Sequence, residues 1–215
     1  MKPFSSFIQH LSKQLKKPLP AEMAHAVMEA SSAAYLTVNP DEKTRRSAVL
    51  MLLYPIKDEV SFPLIVRPAY EGFHSGEVAF PGGRYELTDN DLIHTALREA
   101  QEEVGVKPND VKILGTLTEI YIGPSNFLVL PVIGYIPFRP DFVPSDREVE
   151  AILESKLDHF CDPNLVRSSE IRIPGDRVVT PYYEVEGHKV WGATAKMIAE
   201  LLMVLDVKRP LTNDV

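Results

Sequence analysis

The stretch REAQEEVG, residues 98 to 105, sets three carboxylates, Glu99, Glu102 and Glu103, in the last turn of a helix that Gly105 should end. A helix C-terminus carries the negative end of the macrodipole, and Glu99 and Glu103 repel each other one turn apart. Acids gathered there call for a cation. At about 100° per residue, positions 99, 102 and 103 fall within roughly 100° of one another, so the three can converge on one point. Oxygen-only ligands suit Mg²⁺ or Mn²⁺ rather than zinc. On helix and charge pattern alone, a solvated acidic face fits equally well; the FPGG before the helix and Gly105 after it favour the metal.

The rest of the chain alternates helices and strands. Residues 3–16 and 20–32 read as two amphipathic helices separated by Pro18 and Pro20, with Phe4, Ile8, Leu11 and Leu15 on one apolar face. They should pack on the domain or on the second copy of a homodimer. Two apolar runs, 46–54 and 61–67, read as buried strands joined through IKDE. The helix of about 90–104 carries Leu92, Ile93, Ala96, Leu97, Ala100 and Val104 on one side, with Thr88 or Asp89 as N-cap. VKILGTLTEIYI and FLVLPVIGYIP are strands flanking GPSN, REVEAILESKL is a strand or short helix, and a last helix spans about 191–206. Such a mixture predicts a layered α/β or α+β domain, residues 41–215, preceded by a helical extension, residues 1–40.

Composition narrows the function. A net charge of -7 argues against a broad nucleic-acid interface. The single Cys161 excludes an intrachain disulfide and points to a reducing compartment, where it reads as a small buried hydrophobe. No apolar run reaches a membrane span, and the N-terminal residues lack a signal-peptide pattern, so a cytoplasmic location is expected. His10, His25, His94 and His159 show no ligand spacing, and no serine or cysteine nucleophile motif is present.

From Gly83 to Val106 the chain resembles the Nudix box, a glycine, an acid, then REUxEExGU with U aliphatic; Arg98, Glu99, Glu102, Glu103 and Gly105 match. Two positions depart: Asp89 stands where the family has Glu, and eight residues rather than seven separate it from Arg98. The resemblance implies a mixed sheet between helices and hydrolysis of a nucleoside diphosphate linked to another group. Glu99 and Glu103 then read as metal ligands and Glu102 as ligand or base. A Gly82–Gly83 turn lets a carbonyl, that of Gly83, reach the metal, and the resemblance makes Arg98 an orienting partner of the carboxylates. If REVEAILESKL is a strand, Glu148 and Glu150 form a second acidic pair on one face of it; the resemblance makes Glu148 a base candidate outside the box, and the alternative is a solvated strand edge.

Upstream, LIVRPAYEGFHSGEVAFPGG resembles the extra signature of coenzyme A pyrophosphatases; Arg67, Gly76, Phe80, Pro81, Gly82 and Gly83 match, while Pro68 and Gly72 replace a Ser and an Arg. Together with EGHKVWGATAKMIAEL, the likeness covers roughly residues 45–205. It implies metal-dependent cleavage of coenzyme A or its thioesters to 4′-phosphopantetheine and adenosine 3′,5′-bisphosphate. Arg67 is the first candidate for binding substrate phosphate, followed by Arg45, Arg46 and Arg84, with His74 or Ser75 compensating for the missing Arg. Trp191 at the last helix either stacks on adenine or, more simply, packs in the core. The alternatives are the same chemistry on ADP-ribose or NADH, and a non-catalytic nucleotide-binding module, against which the intact box acids argue.

Overall fold

The computed structural model describes residues 3–30, 39–69, 74–173 and 176–206. Gly72 of the upstream signature lies outside them. In chain order the elements are helices α1 (Phe4–Gln14) and α2 (Glu22–His25), the hairpin β1 (Arg45–Ile56) and β2 (Glu59–Val66), and the short strands β3 (Val78–Ala79) and β4 (Gly82–Arg84). Then come α3 (Leu92–Val104), β5 (Lys112–Thr116), β6 (Ile120–Ile122), β7 (Phe127–Tyr135), β8 (Ala151–Lys156), β9 (Val166–Ile173), β10 (Asp176–Val185), β11 (His188–Trp191) and α4 (Gly192–Val204).

Strand β1 is the spine of a mixed sheet. It pairs parallel with β7 and antiparallel with β2 and β4; β5 and β6 both pair with β7, and β3 and β8 with β2. The continuous apolar run of β1 follows from burial on both faces. Ala48, Leu50, Leu52 and Tyr54 pack with Ala96, Ala100 and Val104 of α3. Met51 and Leu53 point the other way, into a cluster with Phe62, Leu64 and Ile198, Leu201 and Leu202 of α4. The sheet between helices expected from the sequence is therefore present, and β9–β11 add a second, three-stranded sheet.

Helix α1 joins the same α4-side core through Ile8 and Leu11, with Phe4 and Leu15 packed against it. The second expected helix is shorter than its periodicity suggests. It runs from Glu22 to His25, continues as a single 3-10 turn over Ala26–Met28, and Glu29 is already extended. What holds this segment is polar. The fully buried Glu200 of α4 accepts bonds from Thr118 Oγ1 at 2.6 Å and pairs with His25 Nε2 at 3.0 Å. Burial alone would raise its pKa, but the His25 and Thr118 bonds prevail and lower it.

Three further expectations are corrected. The run VKILGTLTEIYI is two strands, because a register shift between Ile113 and Gly115 and the non-strand residues 117–119 break the ladder. Glu148 and Glu150 precede β8 in a turn rather than sharing a strand face, since Glu148 N–H and Val149 N–H both bond back to Ser145 O. Trp191 is half-buried on a cavity wall, not in the core.

Candidate active site

Helix α3 brings the box together. Its N-cap is Asp91, whose side chain accepts from His94 N at 2.7 Å, not Thr88 or Asp89. Its C-terminus closes at Gly105 in the left-handed region, φ 73°, with Gly105 N–H bonded to Gln101 O and Val106 N–H to Ala100 O. The remaining end carbonyls are met from outside: Val143 N–H bonds to Val104 O at 3.0 Å and Ser145 N–H to Glu103 O at 2.9 Å. That docking carries the turn with Glu148 to the acidic end of the helix.

Asp89 is withdrawn from capping because Arg98 binds it. Arg98 Nε donates to Asp89 Oδ1 at 2.9 Å and Nη2 to Oδ2 at 3.1 Å, while Thr95 Oγ1 and Glu86 N–H also donate to Oδ2. Bonding to Arg98, ahead of the opposing effect of burial, holds the Asp89 carboxyl far below the usual carboxylate range and raises the guanidinium pKa in turn. Nη2 also reaches Arg84 O at 3.0 Å and Glu99 Oε1 at 3.0 Å, and Nη1 donates to Glu102 Oε2 at 3.2 Å. One guanidinium thus ties the turn before the helix to two of the three box glutamates.

The three glutamates are not equivalent. Glu103 is 3% exposed, and its Oε2 accepts the Gly82 N–H at 2.7 Å. Burial pushes its pKa up to about 8; the Gly82 bond and the Arg67 charge pull down, and the Glu99 and Glu148 charges add to the rise. Glu99 is half-buried and also raised, by burial first, against the pull of Arg98. Glu102 is exposed, turned to Arg98, and outside the cavity lining.

Close approach to backbone requires Gly82, while Gly83 leaves room for the Glu99 carboxyl. A Cβ on Gly82 would stand 2.3 Å from Ala48 O, and one on Gly83 2.5 Å from the Glu99 carboxyl.

A cavity of about 730 Å³ opens beside these groups, lined by Gly82, Gly83, Glu99, Glu103, Glu148, Arg67, His74 and Arg84. Arg67 Nε is buried and has no acceptor among the described residues. His74, at φ 67°, is fixed on both ring nitrogens, Nδ1 to Glu77 Oε2 at 2.7 Å and Nε2 to Ser125 Oγ at 3.0 Å. Arg45 and Arg46 lie outside the lining; Arg45 donates to Ser125 O and stacks over Phe127, and Arg46 pairs with Glu119. Glu77, three residues after His74, and Ser125, which orient His74, have no motif in the sequence, and Ser125 is recognisable only once β7 is paired with β1.

A family model of the NUDIX domain matches residues 44–171. The chain belongs to the Nudix hydrolases. It is 35% identical over 173 residues to the uncharacterized Nudix hydrolase NudL of Citrobacter koseri, spanning 80% of this chain and 88% of that protein. To the mitochondrial Nudix hydrolase 15 of Arabidopsis thaliana it is 33% identical over 187 residues, 83% of this chain and 65% of the relative. The solved structure of the Nudix hydrolase RenU from M. smegmatis shares the fold, with a TM-score of 0.54 at 18% identity over 79% of this chain and 91% of that one. As a Nudix hydrolase, the protein cleaves nucleoside diphosphate derivatives with the aid of a divalent metal ion. The donors beside the cavity suit such an ion. They are carboxylate oxygens in a desolvated wall, where burial first, and the Glu148 charge after it, raises the pKa of both Glu99 and Glu103. Among the described residues no three acidic, histidine or cysteine side chains already clasp a common point; Glu99 leans on Arg98 and Glu103 on Gly82.

No helix among the described residues is long and apolar enough to cross a membrane.

Proposed function

We propose that this Nudix hydrolase splits the diphosphate of coenzyme A or its thioesters into 4′-phosphopantetheine and adenosine 3′,5′-bisphosphate. The observation that carries the reading is the single cavity that joins Glu99, Glu103 and Glu148 to Arg67 and His74, residues of the upstream signature segment, and continues to Trp191. A diphosphate needs charge neutralisation at the reacting centre, whereas a long dinucleotide-like substrate needs room and further donors beyond it.

In this reading Glu99 and Glu103 would hold Mg²⁺ or Mn²⁺, with the Gly83 carbonyl as a further oxygen donor; Glu102 would join them only by turning away from Arg98. The ion, when bound, neutralises phosphoryl oxygens and acidifies a water. The chain's own groups do the rest. Arg98 fixes the Glu99 carboxyl. Glu148, held at the cavity by the turn docked on α3, accepts the proton of the attacking water, with Glu102 the other candidate. Arg67 and the exposed Arg84 bring positive charge to the cavity for the diphosphate, and His74, held by Glu77 and Ser125, shapes its wall. We read residues 41–215 as the catalytic domain and 1–40 as an extension; a single cysteine accords with a cytoplasmic location.

The test is mass-resolved chromatography of coenzyme A, ADP-ribose and NADH after incubation with the purified protein in Mg²⁺, Mn²⁺ or EDTA. Metal-dependent appearance of adenosine 3′,5′-bisphosphate and 4′-phosphopantetheine supports the reading. Preferential cleavage of ADP-ribose or NADH refutes the substrate assignment while keeping the Nudix chemistry.

A further inference from the structure

Three basic side chains, Arg67, Arg84 and Lys196, line the described part of the cavity. Arg67 acts on Glu103, and Arg84 lies in the strand at the start of the box. Lys196 belongs to a different wall. It sits in α4, and its Nζ is 2.7 Å from Glu29 Oε2, on the segment that follows α2. Both partners line the cavity, with side chains 20% and 30% exposed, and Met28, Ala30, Asn39 and Pro40 extend the same wall. Residues 28–30, 39 and 40, which precede β1, therefore form a side of the cavity.

An acid on a cavity that receives a polyanion is unfavourable unless it does something there. Glu29 neutralises Lys196 when substrate is absent. A partly exposed lysine–carboxylate pair of this kind is weak, and a phosphate monoester offers nearly twice the charge and three acceptor oxygens to the same ammonium. The two anions compete for one cation.

We propose that Lys196 is a subsite for a phosphate monoester carried by the substrate, and that Glu29 is its built-in competitor, seated on Lys196 until the phosphate displaces it. The proposal rests on the cavity being the nucleotide site. For coenzyme A the group in question is the 3′-phosphate; this leaves Arg67 to the diphosphate. Lys196 and Glu29 then set selectivity between a phosphorylated substrate and its dephospho form, without touching the reacting atoms.

The test compares the full chain with Lys196→Met and Glu29→Gln. Calorimetry with Mg²⁺ present measures binding of adenosine 3′,5′-bisphosphate and of 5′-AMP, and kinetics measure KM for coenzyme A and dephospho-coenzyme A. The wild type should prefer the 3′-phosphorylated member of each pair. Lys196→Met should cut that preference about tenfold, through KM rather than kcat. Glu29→Gln should enlarge it, a gain that impaired folding cannot imitate. An unchanged preference in either variant, or no preference in the wild type, overturns the proposal. If coenzyme A is not hydrolysed but Lys196→Met abolishes the bisphosphate preference, the subsite stands and the coenzyme A reading falls.

Discussion

Replacing Glu103 by Gln separates the electrostatic role of this residue from its structural one. The amide keeps an oxygen for the Gly82 N–H and nearly the same volume, but it carries no charge. In the native chain the buried carboxyl is pushed up to about 8, above its unfolded value of about 4.3, so the folded state binds the proton more tightly. The stabilisation is complete below about pH 4.3 and is lost as pH rises to about 8. At about 1.4 kcal/mol per pH unit, the interval from pH 5 to 7.5 corresponds to about 3 kcal/mol as an upper bound, or roughly 6–12 °C in Tm for a chain of this size. In EDTA, wild-type Tm should therefore fall over this range relative to Glu103→Gln. Millimolar Mg²⁺ should flatten the wild-type slope, because a bound cation stabilises the carboxylate and displaces the proton, and should do so far less in the variant. Turnover in the variant should drop at least ~10²-fold. Differential scanning fluorimetry across pH, with and without Mg²⁺, reads all of this except turnover. Parallel pH profiles in EDTA, or equal Mg²⁺ stabilisation of both proteins, would refute the argument.

Gly83→Ala should cost activity out of proportion to stability, on the order of 10²-fold or more, because its methyl group would displace the Glu99 carboxyl; wild-type kcat/KM would show that Glu99 need not stand there. Arg98→Ala strands the buried Asp89 and should lose about 3–5 kcal/mol in urea unfolding, with Arg98→Lys recovering only part because the Nε and Nη2 fork is lost. Since the folded Asp89 pKa is depressed, its contribution is present above pH 4 and fades as pH falls below it; Asp89→Asn should be less stable than wild type at pH 7 and converge with it in strong acid. Glu200→Ala should cost about 2–4 kcal/mol and detach the segment around His25, read as faster amide exchange at Ala24–Met28. Exchange unchanged there would place the anchor elsewhere.

Local chemistry was legible in the sequence; long-range company was not. The end of α3 at Gly105, the β1–β2 hairpin and the acidic helix face follow from periodicity, turn residues and charge. The start of α3 was misplaced because Asp89 and Asp91 are equally good caps by composition, and only the fold shows that Arg98 claims the first. Nothing local distinguishes Glu102 from Glu103, yet one is exposed and the other is buried against Gly82. The wall formed by Glu29, Lys196 and Trp191 joins the two ends of the described chain, and no spacing rule reports such a meeting. The second helix is shorter because helical propensity in AEMAHAVMEA competes with a segment anchored through His25 to the buried Glu200.

The parallel pairing of β1 with β7 also fixes when the site can exist. Strand β1 and the whole box leave the ribosome before Phe127–Tyr135, which must then insert beside β1. Until that long-range closure is made, the even-numbered face of β1 can receive α3, but His74 lacks Ser125 and the turn bearing Glu148 has not yet been synthesised. A nascent chain that stops short of β7 therefore carries all three box glutamates and no working pocket. If His74 and Glu148 serve the reaction as proposed, hydrolytic capacity appears only with the finished sheet.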